Sequence, residues 1–309
     1  MIFEGSEKKI EVIVDQSIGD LRKKGDEFWS VIVEACNAEI ISSIKNDEVH
    51  AYLLSESSLF VWENSFLMIT CGKTSLVKSL LKVMAIFGKE NIVDVIFQRK
   101  NEYFGHMQFT SFYEDIKLLS ELRPAGAWRL GDLDGHHNFV FNYSRDKKWE
   151  TQEETFEFLM YNIGERAGEW LRTEGRTALE IREFLGVEEL LPGYIVDDFA
   201  FQPYGYSLNA IKGEFYYTIH LSPELNGSYI SFETNDEEVD PKKIIARFTE
   251  QLRPKSYDVI TFNFEDDFTM QTYMMVEQSQ QKLDNGLNVQ FLQFIDNHNT
   301  QVKPGFPLL

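Results

Sequence analysis

Within Tyr52-Leu53-Leu54-Ser55-Glu56-Ser57-Ser58-Leu59-Phe60-Val61, four small polar or acidic residues interrupt an apolar run of strand character. A tight, strained turn between two strands would explain the pattern, and so would an ordinary hairpin loop. Cys71 is followed by Gly72 and by a helix expected to begin near Thr74. A helix N-terminus lowers a thiol pKa from its usual value of about 8.5, whereas a cysteine packed as a small hydrophobe is inert. His220 lies in Tyr216-Tyr217-Thr218-Ile219-His220-Leu221, where alternation places it on one face with Thr218 and Tyr216. Taken alone it reads as a hydrogen-bonded strand histidine. The six histidines show no HExxH spacing, and His136-His137 is a loop-like pair, so no metal site is expected. The Walker loop, the GxSxG elbow and the dinucleotide fingerprint do not occur in the sequence.

These residues need elements to position them. Ile and Val in the first fifteen residues predict a strand, with Gly19 and Gly25 bracketing a loop. A helix with Phe28, Trp29, Ile32, Val33 and Cys36 on its buried face follows behind Asp26 as a cap. Strands are predicted over 39–44, 50–54, 58–62 and 66–71. The helix from Thr74 carries Leu76, Val77, Leu80, Leu81, Met84 and Phe87 as its stripe and ends at Gly88. Strands over 194–201, 206–211, 215–221 and 229–232 lead into a helix with Asp240 as cap and Pro241 at its first position, then a strand over 259–264. Two or three helices lie between the halves, one opened by the capping-box spacing of Thr177 and Glu180. Each half is several strands, a helix and a strand, which predicts one α+β domain over 1–309 built from two pseudo-repeats, about 1–165 and 166–309.

The 309 residues suffice for a sizeable core, and 43% hydrophobic with 26% charged residues is a globular composition. A formal net charge of -20 repels phosphate backbones and anionic membrane surfaces and attracts cationic ligands. The two cysteines, Cys36 and Cys71, build no disulfide framework, which fits a reducing cytosol. The N-terminal residues lack an apolar signal region, and no 18-residue apolar run follows, so an unexported, cytoplasmic protein is expected.

Taken together, these segments resemble eukaryotic-type S-adenosylmethionine decarboxylase. The block Tyr52 to Val61 is similar to that family's processing site. Phe3 to Lys8, Thr70-Cys71-Gly72, Pro203 to Asn209, Thr218 to Glu224 and Ser231 to Asn235 match in order. The resemblance implies a four-layer αββα sandwich, with two mostly antiparallel central sheets flanked by helices. It also implies self-cleavage between Glu56 and Ser57, leaving a pyruvoyl group derived from Ser57 as the covalent cofactor, with neither metal nor pyridoxal phosphate. By family position, Ser207 and His220 serve the processing, and His220 takes the alpha proton. Cys71 would be the proton donor in decarboxylation, and Glu7 and Glu4 acids of the active site. Phe3 and Phe201 would hold the adenine of S-adenosylmethionine, with Glu56 also against the substrate and Glu224 on the ribose. A catalytically inactive paralogue acting as a regulatory partner, or a pyruvoyl decarboxylase of another amino acid, are the alternatives.

Animal members of the family are stimulated by putrescine, bound by a buried acid cluster. The matching residues here are Glu11, Glu157 and Glu233, with Thr155 beside them and Glu153 where an aspartate is usual. The lysine common before Thr-Cys-Gly is Ile69, and position 9 is Lys where animal members are apolar and plant members carry arginine. On a strand Lys9 and Glu11 share a face, so Lys9 is expected to place its ammonium among those acids; the alternative is a solvated surface lysine. Animal members are dimers and plant members monomers, which implies a monomer or a homodimer of processed heterodimers.

Overall fold

The computed structural model describes residues 5–146, 154–264, 266 and 268–297. Its first sheet contains β1 (Lys8–Val14), β2 (Ile40–Lys45), β3 (His50–Leu54), β4 (Ser57–Val61), β5 (Ser65–Thr70), β6 (Ile92–Lys100), β7 (Ala125–Gly131) and β8 (His137–Ser144). The second contains β9 (Thr155–Tyr161), β10 (Ile195–Ala200), β11 (Tyr206–Lys212), β12 (Phe215–Ser222), β13 (Tyr229–Thr234), β14 (Ser256–Phe262), β15 (Tyr273–Lys282) and β16 (Asn288–Asp296). The orders are β2-β3-β4-β5-β1-β6-β8-β7 and β10-β11-β12-β13-β9-β14-β16-β15, the same strand for strand, which is the internal duplication. The neighbouring strands pair antiparallel throughout.

Strand β9 pairs with β13 and β14, so the second repeat opens ahead of the 165/166 division expected from sequence. Thr155 to Tyr161 is buried along its whole length, and a strand covered on both faces lacks the alternation that marks a half-exposed one.

Helices α1 (Asp26–Glu34), α2 (Leu76–Phe87) and α3 (Phe112–Leu118) accompany the first sheet. Helices α4 (Glu165–Leu171), α5 (Ala178–Leu185), α6 (Val187–Leu190) and α7 (Pro241–Leu252) accompany the second. One core joins the first sheet to its helices through Trp29, Ile32, Val77, Leu80 and Leu59; the other joins Ile244, Phe248 and Leu252 to Phe158 and Phe232. A third apolar layer, with Ile96, Leu159 and Ile260, lies between the sheets. The four layers are therefore helix, sheet, sheet, helix.

The Thr177–Glu180 capping box forms in full, and Gly186 ends α5 in the left-handed conformation. The Asp240 carboxylate accepts from the Lys242 N–H with Pro241 at the first position. Two expectations change. Asp26 is the first residue of α1 rather than its cap, a place taken by Gly25, and its carboxylate accepts from the Tyr52 hydroxyl at 2.9 Å. Helix α2 begins at Leu76 behind Ser75, not at Thr74, whose hydroxyl bonds to Thr70 and the Cys71 carbonyl. No helix among the described residues is long and apolar enough to cross a membrane.

Candidate active site

Leu54 pairs with Ser57 across β3 and β4, so Ser55 and Glu56 form a two-residue hairpin loop. Ser57 has φ 132°, a region L-residues rarely adopt and one that stores strain. The hairpin and the strained turn are thus the same object. Glu56 ends up half-buried, with Oε2 lacking a hydrogen-bond partner, and burial pushes its carboxyl up to about 7 against a partial offset from the Lys8 ammonium.

Cys71, just past the end of β5, closes on this turn. Its N–H donates to the Glu56 carbonyl at 2.9 Å, and its Sγ lies 3.5 Å from the same oxygen and 3.4 Å from Ser57 Oγ. Of the two readings of this thiol, the structure bears out the buried one and not the lowering by a helix N-terminus. Helix α2 starts five residues later, and burial together with the nearby Glu56 carboxylate drives the thiol well above its ordinary range. Cys71 is therefore held as the neutral thiol.

His220, on β12, enters the layer between the sheets with Thr218 and Tyr216, as alternation requires. Its Nε2 sits 2.7 Å from Ser58 Oγ and 3.1 Å from Thr218 Oγ1, and its Nδ1 sits 2.5 Å from Glu7 Oε1. Ser207 is its register partner on β11. Glu7 comes from the segment entering β1, which can pass the second sheet because residue 5 is glycine: a Cβ there would stand 2.7 Å from that of Tyr229. The Ser231 and Tyr229 hydroxyls donate to Glu7 at 2.6 and 2.9 Å. Burial works to raise the Glu7 pKa, but Lys100, His220 and the Ser231 hydroxyl outweigh it and hold the carboxyl well below the usual range.

From Glu7 a chain of buried charges crosses the interface. Lys100 Nζ lies 3.1 Å from Glu7 and 2.9 Å from Glu157; Lys9 Nζ lies 3.0 Å from Glu157 and 2.7 Å from Glu233. The Gln98 amide donates to Glu157 at 2.9 Å and the Tyr216 hydroxyl to Glu233 at 2.6 Å. Lys9 is 1% exposed, which overturns the surface-lysine alternative. Burial disfavours its charge, yet Glu157, Glu233 and then Glu11 more than compensate, so it stays an ammonium. Glu157 is held below the ordinary range, because Lys100, Lys9 and Gln98 overcome its burial; for Glu233 burial wins over Lys9, and its pKa rises. Glu233 Oε2 is buried with no partner.

Ser55, Glu56, Ser57, Cys71, Ser207 and His220 line a cavity of about 330 Å³, a size that suits a small ligand, together with Phe201, Tyr204 and Glu224. Gly205, at φ 126°, turns the chain so that its N-terminal neighbours pack back on it, and its carbonyl accepts from the Phe201 N–H at 2.9 Å. Tyr204 OH reaches Glu224 at 3.5 Å, and burial raises the Glu224 pKa. A larger groove of about 800 Å³, beside Trp170 and Arg253, adjoins none of these residues.

The sequence-predicted residues Glu7, Glu56, Ser57, Cys71, Phe201, Ser207, His220 and Glu224 thus meet, and Lys9, Glu157 and Glu233 meet behind them. Thr155 is buried on the strand of Glu157, and Glu11 is half-buried on the strand of Lys9. Phe3, Glu4 and Glu153 lie outside the described residues. Sequence reasoning missed Ser58, Lys100, Asn209, Tyr229 and Ser231. An Asn two residues beyond Ser207, on the same face of β11, is the signal that could have drawn attention to Asn209, whereas Lys100 ends the polar run Gln98-Arg99-Lys100 and carries no such signal. Among the described residues no group of three or more His, Cys, Asp or Glu could hold a metal ion.

The sequence model of the family described as adenosylmethionine decarboxylase matches residues 1–301. The chain is 32% identical over 277 residues to the S-adenosylmethionine decarboxylase proenzyme of Dictyostelium discoideum, covering 82% of this chain and 72% of that protein. It is 30% identical over 285 residues to the proenzyme of Xenopus laevis, covering 84% and 83%. The fold is similar to the crystal structure of the Trypanosoma brucei AdoMetDC-delta26 monomer, with a TM-score of 0.58 and 23% identity, over 77% of this chain and 99% of that one.

Proposed function

From the premise that this chain belongs to the adenosylmethionine decarboxylase family, we propose that Ser57 is the residue at which it cuts itself and that the cavity beside Ser57 is where it decarboxylates. The protein is a self-processing, pyruvoyl-dependent S-adenosylmethionine decarboxylase serving polyamine synthesis. What carries the residue assignment is the strained Ser57 next to a Glu56 carbonyl already gripped by the Cys71 N–H.

Cleavage begins when Ser57 Oγ attacks the Glu56 carbonyl carbon. Negative charge then gathers on the Glu56 oxygen, toward which the Cys71 N–H and thiol point, and Ser207, lining the same cavity, is a further donor for it. The C–N bond breaks, the hydroxyl proton ends on the Ser57 nitrogen, and an ester replaces the amide; release of the backbone from φ 132° favours this direction. His220 Nε2 next takes the Ser57 alpha proton. The ester C–O bond breaks, and Glu56 leaves as a carboxylate carrying the electron pair. The dehydroalanine left at position 57 tautomerises to an imine; water adds, ammonia departs, and a pyruvoyl ketone heads the chain 57–309.

The residues around Ser57 fit that group: the cavity is open on its side, and Cys71 stands beside it as a protonated thiol. Once present, the group supplies an electron sink for the pair left when carbon dioxide departs. The Cys71 thiol then returns a proton to the substrate alpha carbon. Phe201 offers its face to the adenine and Glu224 its carboxylate to the ribose hydroxyls, while the acidic molecule draws in the sulfonium.

The acid cluster of Glu157 and Glu233 is served from within. Lys9 and Lys100 place two ammonium groups where a diamine would place its own, so the enzyme works without putrescine. Mass spectrometry of the purified chain tests the cleavage: fragments 1–56 and 57–309 are expected, and a wild-type chain that stays intact would refute it.

A further inference from the structure

Four side chains close a buried ring at the interface of the sheets: Ser58 of β4, Asn209 of β11, and Thr218 and His220 of β12. Ser58 Oγ lies 2.5 Å from Asn209 Oδ1, 2.7 Å from His220 Nε2 and 3.2 Å from Thr218 Oγ1. Thr218 Oγ1 is 3.1 Å from both Asn209 Oδ1 and His220 Nε2. The protons of this ring can be placed from their partners. The Thr218 hydroxyl has one hydrogen, and the Leu208 carbonyl at 2.8 Å is a closer acceptor for it than Asn209 Oδ1 at 3.1 Å. With that hydrogen on Leu208, Thr218 acts within the ring as an acceptor. On the far side of the imidazole, Nδ1 faces the Glu7 carboxylate and therefore carries hydrogen.

Ser58 has one hydrogen, and its two nearest acceptors are Asn209 Oδ1 and His220 Nε2, with Thr218 Oγ1 farther away at 3.2 Å. If it donates to His220, Nε2 is an unprotonated acceptor and the imidazole is neutral. If it donates to Asn209 Oδ1, its oxygen and that of Thr218 both face Nε2 as acceptors. Nε2 must then be protonated, and His220 is a cation with no lone pair for the Ser57 alpha proton. A half-turn of the Asn209 amide exchanges the two states. With Oδ1 toward Ser58, Asn209 Nδ2 is buried without a partner. With Nδ2 toward Ser58 and Thr218, that donor meets both oxygens, and the Ser58 hydrogen is left for His220. A buried donor seeks such a partner.

We propose that Asn209, acting through the Ser58 hydroxyl, is a positioning residue that decides whether His220 is the neutral base or the imidazolium, and so gates the elimination step of self-cleavage. The proposal rests on His220 being the base of that step. Neither Asn209 nor Ser58 touches the reacting atoms; they act by directing one proton.

The test follows conversion of the full chain by mass spectrometry across pH, with hydroxylamine added to trap any ester at position 56. Asn209→Asp presents acceptors only, so Ser58 must donate to it and His220 stays charged. Ester should accumulate, cleavage at neutral pH should slow by at least about tenfold, and the rate should recover as pH rises, one pKa unit corresponding to a factor of ten. Asn209→Leu removes the competing acceptor; cleavage should persist, with its acid limb at lower pH than in the wild type. Ser58→Ala added to Asn209→Asp breaks the relay and should cleave faster than Asn209→Asp alone.

A merely structural role predicts the opposite ranking, because leucine loses more hydrogen bonds than aspartate. Equal rates and pH profiles for Asn209→Asp and wild type overturn the proposal. So does a double variant as slow as Asn209→Asp, which would reduce the effect to added charge. Should Asn209→Asp not fold, an unmoved acid limb in Asn209→Leu overturns it by itself. If the wild-type chain neither cleaves nor yields ester, the assignment of Ser57 and His220 falls first and takes the proposal with it.

Discussion

Lys9 and Glu157 meet across the interface between the two sheets at 3.0 Å, joining positions 148 residues apart. Breaking such a pair from one side strands a buried carboxylate that has no route to water. Lys9→Met is expected to destabilise the fold by roughly 3–5 kcal/mol, less whatever Lys100 recovers by its own contact with Glu157. Chemical denaturation of the uncleavable Ser57→Ala chain with and without Lys9→Met checks this; a loss below 1 kcal/mol would mean that the carboxylates are neutral in the fold.

The same pair bears on the diamine. Turnover of the wild type should change little on adding putrescine, because two ammonium groups already hold Glu157 and Glu233. In Lys9→Met, added putrescine should restore both stability and rate in part. A large stimulation of the wild type, abolished by Glu157→Gln, would instead place the diamine and not Lys9 at the centre of the cluster.

Strain at Ser57 is separable from its chemistry. Ser57→Ala and Ser57→Gly both lack the hydroxyl and should remain uncut. Glycine, however, tolerates φ 132° without a Cβ penalty, so the glycine variant should be the more stable by roughly 1 kcal/mol or more. Melting temperatures of the two uncut proteins give the comparison, and equal values would remove the argument from strain.

Glu56 should make the precursor sensitive to pH in a defined direction. Its carboxyl sits at about 7 in the fold against an ordinary 4.5, with burial the cause. The folded chain therefore holds a proton there that the unfolded chain has released, and stability falls as pH rises through that window, levelling above about 7. Against Ser57→Ala, the double variant Glu56→Gln/Ser57→Ala should gain melting temperature progressively from pH 5 to pH 8, with no gain below about pH 4. A gain that does not depend on pH would contradict the buried, protonated carboxyl.

The Cys71 thiol lines the cavity yet is held far above the ordinary thiol range by burial and by Glu56. Since the thiolate is the nucleophile, iodoacetamide at pH 8 should modify Cys71 in the uncut chain much more slowly than a free thiol of ordinary pKa. Mapping the alkylated peptide reads the result, and rapid labelling would show a thiolate and argue against a proton-donating role.

By itself, the sequence determined those elements whose starts, stops or apolar stripes are written in local residue types. The Thr177–Glu180 box, the Asp240-Pro241 start, the stripe of α7 and the strands around the Ser57 turn all follow from local chemistry, and the ordered motifs led to the family. Strands β6 and β9 escaped because both of their faces are buried, so that periodicity carries no signal, and β7, β8, β15 and β16 were not predicted either. The sequence left the Cys71 thiol open between a helix-lowered and a buried, inert state, because the burial and the turn fourteen residues upstream that decide it are tertiary. Only the tertiary structure could decide that Lys9 is buried, that Lys100 and Glu7 extend its charge chain to His220, and that His220 meets Ser58. Apart from Lys100–Glu7, which lies within the first repeat, those contacts join one repeat to the other. They depend on how two sheets stack, a relation between residues more than a hundred positions apart that no local pattern encodes.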